Sequence, residues 1–163
     1  MKKFLCIFLL LTLFACADSM DYSYKFKDLT INIPVDAVLE SKVITGDYTD
    51  LRGDDYVITM QKLHNKNNLS FYDLRKQYES IAIFESGCTL ITNDNKHAVY
   101  KYGDCGLACI YMGNDNSYYS LIAQGEKEAL KDNYNWILKA FKNIKVLMVI
   151  SQIVISPKQL FRI

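Results

Sequence analysis

Four segments in the second half of the chain decide the fold: Cys88-Thr89-Leu90-Ile91-Thr92, His97-Ala98-Val99-Tyr100-Lys101-Tyr102, Leu107-Ala108-Cys109-Ile110-Tyr111-Met112 and Tyr118-Tyr119-Ser120-Leu121-Ile122-Ala123-Gln124. They are rich in β-branched and aromatic residues. The linkers between them, Asn93-Asp94-Asn95-Lys96, Gly103-Asp104-Cys105-Gly106 and Gly113-Asn114-Asp115-Asn116-Ser117, hold the residue types that tolerate turn dihedrals. Short loops of that chemistry predict an antiparallel meander. Each side of the meander reads as helix. Downstream, Leu130, Tyr134, Ile137, Leu138 and Phe141 fall on one face of a helix starting near Glu126, with Lys127, Lys131, Lys139 and Lys142 on others. Upstream, Ser70 with Asp73 three residues on predicts an N-cap, and Phe71, Leu74, Tyr78 and Ile81 recur at helical spacing in a helix ending near Phe84.

Further upstream, Tyr24-Lys25-Phe26-Lys27 and Leu29-Thr30-Ile31-Asn32-Ile33 alternate apolar with polar residues, as half-buried strands do, and Pro34 stops the second. A third strand is predicted from about Asp55 to Leu63. Between them, Thr45-Gly46-Asp47 and Leu51-Arg52-Gly53-Asp54 read as turns. No repeat or Pro/Gly-rich linker divides the chain, so residues 22–145 are expected to form a single α+β domain. That domain is a mostly antiparallel sheet with two amphipathic helices packed on it.

The first seventeen residues carry a different message. Lys2 and Lys3 precede an apolar run from Phe4 to Phe14, the charged and apolar regions of a signal peptide over residues 1–17. As a helix the run would cover about 16 Å at ~1.5 Å per residue, against a hydrocarbon core of about 30 Å. It is short for a permanent span and reads as a leader. Two cleavages compete. Leu13-Phe14-Ala15-Cys16 resembles a bacterial lipobox, which implies a lipidated Cys16 at the mature N-terminus, although Phe14 departs from the small or β-branched residue usual there. Ala15-Cys16-Ala17 instead fits the small-x-small site of ordinary secretion, which implies a soluble periplasmic or secreted protein. Acyl chains on Cys16 would anchor the chain to the membrane, each buried CH₂ contributing ~0.8 kcal/mol. The expected location is the bacterial cell envelope.

Composition limits the function classes. Half of the 163 residues are hydrophobic, and 12 Tyr and 8 Phe supply bulk for a core, which excludes a disordered chain. Without Lys2 and Lys3 the 19 basic residues become 17 against 18 acidic ones. A near-neutral chain of this kind is not expected to bind nucleic acid.

The order of elements, with Phe26-x-x-Leu29-x-Ile31-x-Ile33-Pro34 near the start and Ile137-Leu138-x-x-Phe141-Lys142 near the end, resembles the PsbP-like α/β fold over Tyr24 to about Val146. That resemblance implies a small extracytoplasmic or protein-binding module without a catalytic residue set, so no functional residue is carried over. The apolar tail over residues 146–163 departs from the pattern. Its run Val146–Ile155 is too short for a membrane helix and is expected either to pair as an extra strand or to pack on a helix.

Candidate chemistry is sparse. With Cys6 and Cys16 in the leader, Cys88, Cys105 and Cys109 remain, and export places them where one disulfide and one free thiol are expected. Cys88 with Cys105 or Cys109 would tie neighbouring strands; Cys105 with Cys109 would close a small loop. Their Cys-x-x-x-Cys spacing is not that of a redox motif at a helix N-terminus. His64 and His97 stand alone in their segments and read as surface histidines, so no metal site is expected. The acidic run Asp47, Asp50, Asp54 and Asp55 lacks the alternation of a calcium loop, with Leu51 where a ligand should stand, and reads as a solvated turn. Arg52-Gly53-Asp54 matches a tripeptide that some adhesins present, a pattern common by chance.

No nucleophile elbow, phosphate-binding loop or dinucleotide fingerprint occurs, and no cofactor is expected. The meander's tyrosines remain: Tyr100, Tyr102, Tyr111, Tyr118 and Tyr119. Tyr couples contact area to a polar tip at low entropic cost, so Tyr100, Tyr102, Tyr111 and Tyr119 form a candidate binding face, unless helices cover them and they are core aromatics. The expectation is a non-catalytic binding or assembly module with a protein partner in the envelope. Its rival is a small envelope hydrolase or thiol-redox protein whose site assembles only in the fold.

Overall fold

Leu29, Ile31 and Ile33 of the second strand are fully buried while Asn32 between them faces water, and that alternation organises one side of the molecule. A computed structural model describes residues 21–80, 87–113 and 115–146. In it, β1 (Tyr22–Phe26) and β2 (Leu29–Ile33) form an antiparallel hairpin turning at Lys27 and Asp28, with Lys27 at φ 58°. The signal-peptide reading and Cys16 lie outside the described residues.

The larger sheet is antiparallel throughout and has seven strands: β3 (Glu40–Thr45), β4 (Tyr48–Gly53), β5 (Tyr56–His64), β6 (Thr89–Asn93), β7 (His97–Tyr102), β8 (Gly106–Met112) and β9 (Ser117–Gly125). Their spatial order is β3-β4-β5-β9-β8-β7-β6. The four meander strands therefore sit where the sequence places them. The central pairing is β5 with β9, in register from Tyr56↔Gly125 to His64↔Ser117.

Helix α1 (Phe71–Glu79) follows β5, and α2 (Lys127–Lys142) follows β9. Ser70 caps α1 as the sequence predicts: its hydroxyl oxygen accepts from the Asp73 N–H at 3.2 Å. The predicted extension through Ile81 to Phe84 lies outside the described residues. A two-residue strand, β10 (Lys145–Val146), pairs antiparallel with β2, so the smaller sheet has the order β1-β2-β10. Of the predicted tail, only this first residue is described.

The two faces of the large sheet are buried by different means. On one face Leu51, Ile58, Met60, Val99, Leu107, Cys109, Tyr119 and Leu121 pack against Phe26, Leu29, Ile31 and Ile33 of the small sheet and Leu130, Ile137 and Phe141 of α2. On the other, Ala98, Tyr100, Ala108 and Ile110 pack against Leu74 and Tyr78 of α1. The result is the expected α+β class.

Two strands were not expected. Residues 40–53 form the β3–β4 hairpin, turning at Gly46-Asp47, and the next turn falls at Asp54-Asp55, where Asp55 has φ 59°. The reading of Leu51–Asp54 as a turn is corrected: Leu51, Arg52 and Gly53 continue β4. The reason is local. Glu40–Thr45 is exposed at every position and has no buried alternation to read, and Asp50 and Arg52 make β4 look like loop.

Candidate functional site

Helix α1 is nine residues long and lies over β7 and β8, so among the described residues part of its sheet face is left open. On that face β4 and β5 present Tyr48, Asp50, Arg52, Val57 and Thr59, with Gln124 beside them on β9. They floor a groove of about 720 Å³, rimmed by Asp55, Tyr56 and Gly125. Gly125 is required at its position. Its φ is +156°, and a Cβ there would come within 2.3 Å of the Asp55 carbonyl oxygen.

The centre of the floor is a fixed charge pair. The Asp50 side chain is only 9% exposed, and a carboxylate so far from water costs several kcal/mol unless hydrogen-bonded. Thr59, directly opposite on β5, donates its hydroxyl to Asp50 Oδ1 at 3.0 Å. Arg52 Nη2 donates to Oδ2 at 3.1 Å. Arg52 itself is 48% exposed, so one nitrogen is held by Asp50 while its other donors stay available to the groove. Tyr56 at the rim is tied back, its hydroxyl reaching Asn133 of α2 at 3.4 Å, and burial with the neighbouring Asp54 pushes its pKa up to about 12. It remains a neutral phenol.

The predicted tyrosine face divides in two. Tyr111 pairs with Tyr119 across β8 and β9 on the α2 side, whereas Tyr100 and Tyr102 point to the α1 side. Strand alternation forces this, since Tyr100 and Tyr111 lie opposite residues of different parity in the shared register. Tyr100 is 2% exposed and Tyr119 fully buried, so these are core aromatics with bonded hydroxyls. Tyr100 donates to Glu79 at 2.9 Å, Tyr102 to the Ala123 carbonyl at 2.7 Å and Tyr119 to Asp28. Tyr102 reaches β9 by lying across Gly106, where a Cβ would meet its ring at 2.5 Å. Lys62 covers the Tyr119 ring and lies 3.6 Å from Asp28 and 2.7 Å from Asp115.

The disulfide expectation is also corrected. Cys88, Cys105 and Cys109 are free thiols. Cys88 packs on the α1 side and Cys105 and Cys109 on the α2 side, so a bridge from Cys88 would have to pass through the sheet. Burial, with Glu79 adding to it, pushes the Cys88 thiol up to about 11, and burial raises Cys109 well above its ordinary value. Both thiols are protonated at neutral pH, the opposite of what redox chemistry needs.

The two histidines part company. His64 is exposed at the end of β5, as expected, but His97 is 8% exposed, correcting its reading as a surface residue. Its Nε2–H donates to the Phe141 carbonyl at 2.8 Å, linking β7 to the last turn of α2. Burial lowers its pKa, against smaller opposing contributions from that hydrogen bond and Asp94. Among the described residues no three His, Cys, Asp or Glu side chains converge as metal ligands. Of the acidic run, Asp47 pairs with Lys27 at 3.2 Å, and Asp50 and Arg52 belong to the groove. The groove pair was missed in the sequence, although Asp50 and Arg52 at i and i+2, flanking a buried Leu51, are the signal of a polar strand face.

No family model matches the chain, and no curated protein matches it in sequence. Among solved structures, it is similar to the solution structure of cyanobacterial PsbP (CyanoP) from Synechocystis sp. PCC 6803, at 11% identity and a TM-score of 0.48. The match covers 78% of this chain and 92% of that one.

Proposed function

We propose that this protein is a non-catalytic binding module of the bacterial cell envelope, held at the membrane by lipid on Cys16, and that the groove over Asp50, Arg52 and Thr59 receives a polypeptide partner. The observation that carries the reading is the pre-oriented Arg52. Its guanidinium is fixed by a nearly buried carboxylate at the floor of an open groove, ready to donate to the carbonyls or carboxylates of a bound segment. Tyr48 and Val57 supply apolar contact beside it, and Gln124 adds an amide that can both donate and accept.

The tether and the groove are tested separately. Intact-mass spectrometry of protein from its native envelope is expected to show acyl chains on Cys16; an unmodified chain beginning after Ala17 would contradict the tether. For the groove, a photo-crosslinking amino acid is placed at Gln124 or, as a control, at Lys131 on the exposed face of α2. A discrete polypeptide adduct is expected from Gln124 alone. Arg52→Glu should abolish it and Arg52→Lys weaken it. An adduct indifferent to Arg52→Glu, or equal from both positions, would sink the groove as the binding site.

A further inference from the structure

β3 ends the seven-stranded sheet. Its one neighbour among the described residues is β4, so its outer edge carries backbone N–H and C=O groups with no strand to pair with. All six residues of the strand are exposed, and three apolar side chains in and beside it face water: Val38 at 88%, Val43 at 70% and Ile44 at 45%. Soluble proteins ordinarily blunt such an edge with charge. Here the charges are arranged differently.

Read outward from Ser41, the segment Val38-Leu39-Glu40-Ser41-Lys42-Val43-Ile44 mirrors itself, with an acid on one side, a base on the other, and two apolar residues beyond each. In antiparallel pairing about a two-fold axis at Ser41, each residue meets the one equally far on the other side. Glu40 then faces Lys42 of the second copy, Leu39 faces Val43, and Val38 faces Ile44, and symmetry repeats every pair. An axis moved to Lys42 would set Lys42 against itself and Glu40 against Ile44. Within the described residues neither Glu40 nor Lys42 makes an ion pair, so both charges are available to a partner. The irregularity in the β3–β4 pairing falls between Val43 and Thr45, which leaves Glu40–Val43 regular.

We propose that β3 is a homodimer interface, in which a second copy of this chain adds its own β3 antiparallel about a two-fold axis at Ser41 and joins the two large sheets into one. The self-complementary register favours a second copy: Glu40 and Lys42 stand opposite Arg52 and Asp50 across β4, and on the outer edge the mirrored segment offers both a complementary partner.

The test is sedimentation equilibrium of the full-length chain in a density-matched detergent, over a wide concentration range. The wild type is expected to show a monomer–dimer equilibrium. Glu40→Lys makes both facing charges positive and Lys42→Glu makes both negative, so each variant alone should dimerise roughly tenfold more weakly or worse. Mixed in equal amounts, the two variants should recover the dimer, because opposite charges then face each other. A global unfolding defect would not be repaired by mixing. Ser41→Cys provides a second readout, since the two thiols meet at the axis and oxidation should yield a covalent dimer that the wild type does not give. A wild type that is monomeric throughout, a dimer indifferent to both charge variants, or a mixture no tighter than either variant would overturn the proposal.

Discussion

His97 shows how much a single residue's setting changes its reading. Alone in a polar turn-flanked segment it has the look of a surface histidine, yet it opens β7 beneath the end of α2, with its ring 6.0 Å from that of Tyr111. The Phe141 carbonyl can only accept, so Nε2 must carry a proton and the ring is neutral at Nδ1. Burial holds the folded-state pKa below the unfolded value of about 6.5. The sign follows: above that value His97 is neutral in both states, and as pH falls the unfolded chain takes up the proton first. Stability is therefore lost as pH drops from 7 towards 5. His97→Gln keeps an amide donor near the Nε2 position without titrating. Urea midpoints measured across that interval should fall for the wild type and fall less for the variant; parallel curves would refute the assignment. The tyrosines teach the same lesson. Their number was legible, but which of them share a face depends on register, and their burial depends on helices far away in the sequence.

At the scale of elements, legibility follows from burial pattern. The helix α1 announces itself because Ser70 and Asp73 stand at capping distance and Leu74 and Tyr78 share its buried face. The Ser70 hydroxyl also donates to Asp73 Oδ2 at 2.6 Å, so one side chain holds the helix start in two ways. Ser70→Ala should cost about 1 kcal/mol of stability in urea unfolding, with Ser70→Asn recovering part of it. A loss too small to measure would mean that packing alone fixes the helix start. The hairpin of β3 and β4 was illegible for the converse reason. An edge strand with all six residues exposed leaves no alternation to detect, and a strand whose groove-side positions include Asp50 and Arg52 resembles a charged turn. The candidate groove lies on that unread hairpin, which is why the sequence pointed to the meander instead. Only the turn at Gly46-Asp47 was placed correctly there.

At the scale of the whole molecule, the division of labour between the sheet's two faces is what creates the candidate groove. One face is closed by the small sheet and α2, which together bury Phe26, Ile31, Ile137 and Phe141 against it. Among the described residues the other is closed only as far as the short α1 reaches. The Tyr78 and Ser120 hydroxyls link α1 to β9 at 2.6 Å, and beyond Ile122 the strand face opens into the groove. A sheet with one face half covered has somewhere to hold a partner without exposing its core. Near-neutral charge was legible from composition. The half-open face was not, because it depends on where one nine-residue helix lands.

Occupancy of that groove in the proposed setting, the cell envelope, is the most direct test of this account. Oxidative footprinting compares side-chain labelling in purified protein with labelling in intact envelope membranes. Tyr48, in the groove, is expected to be labelled several-fold less in the membranes. Tyr72, 60% exposed on the outer side of α1, should label alike in both and serves as the internal standard. Equal labelling of Tyr48 in the two settings would mean that the groove stands empty where the protein works, and would contradict its assignment as the binding site.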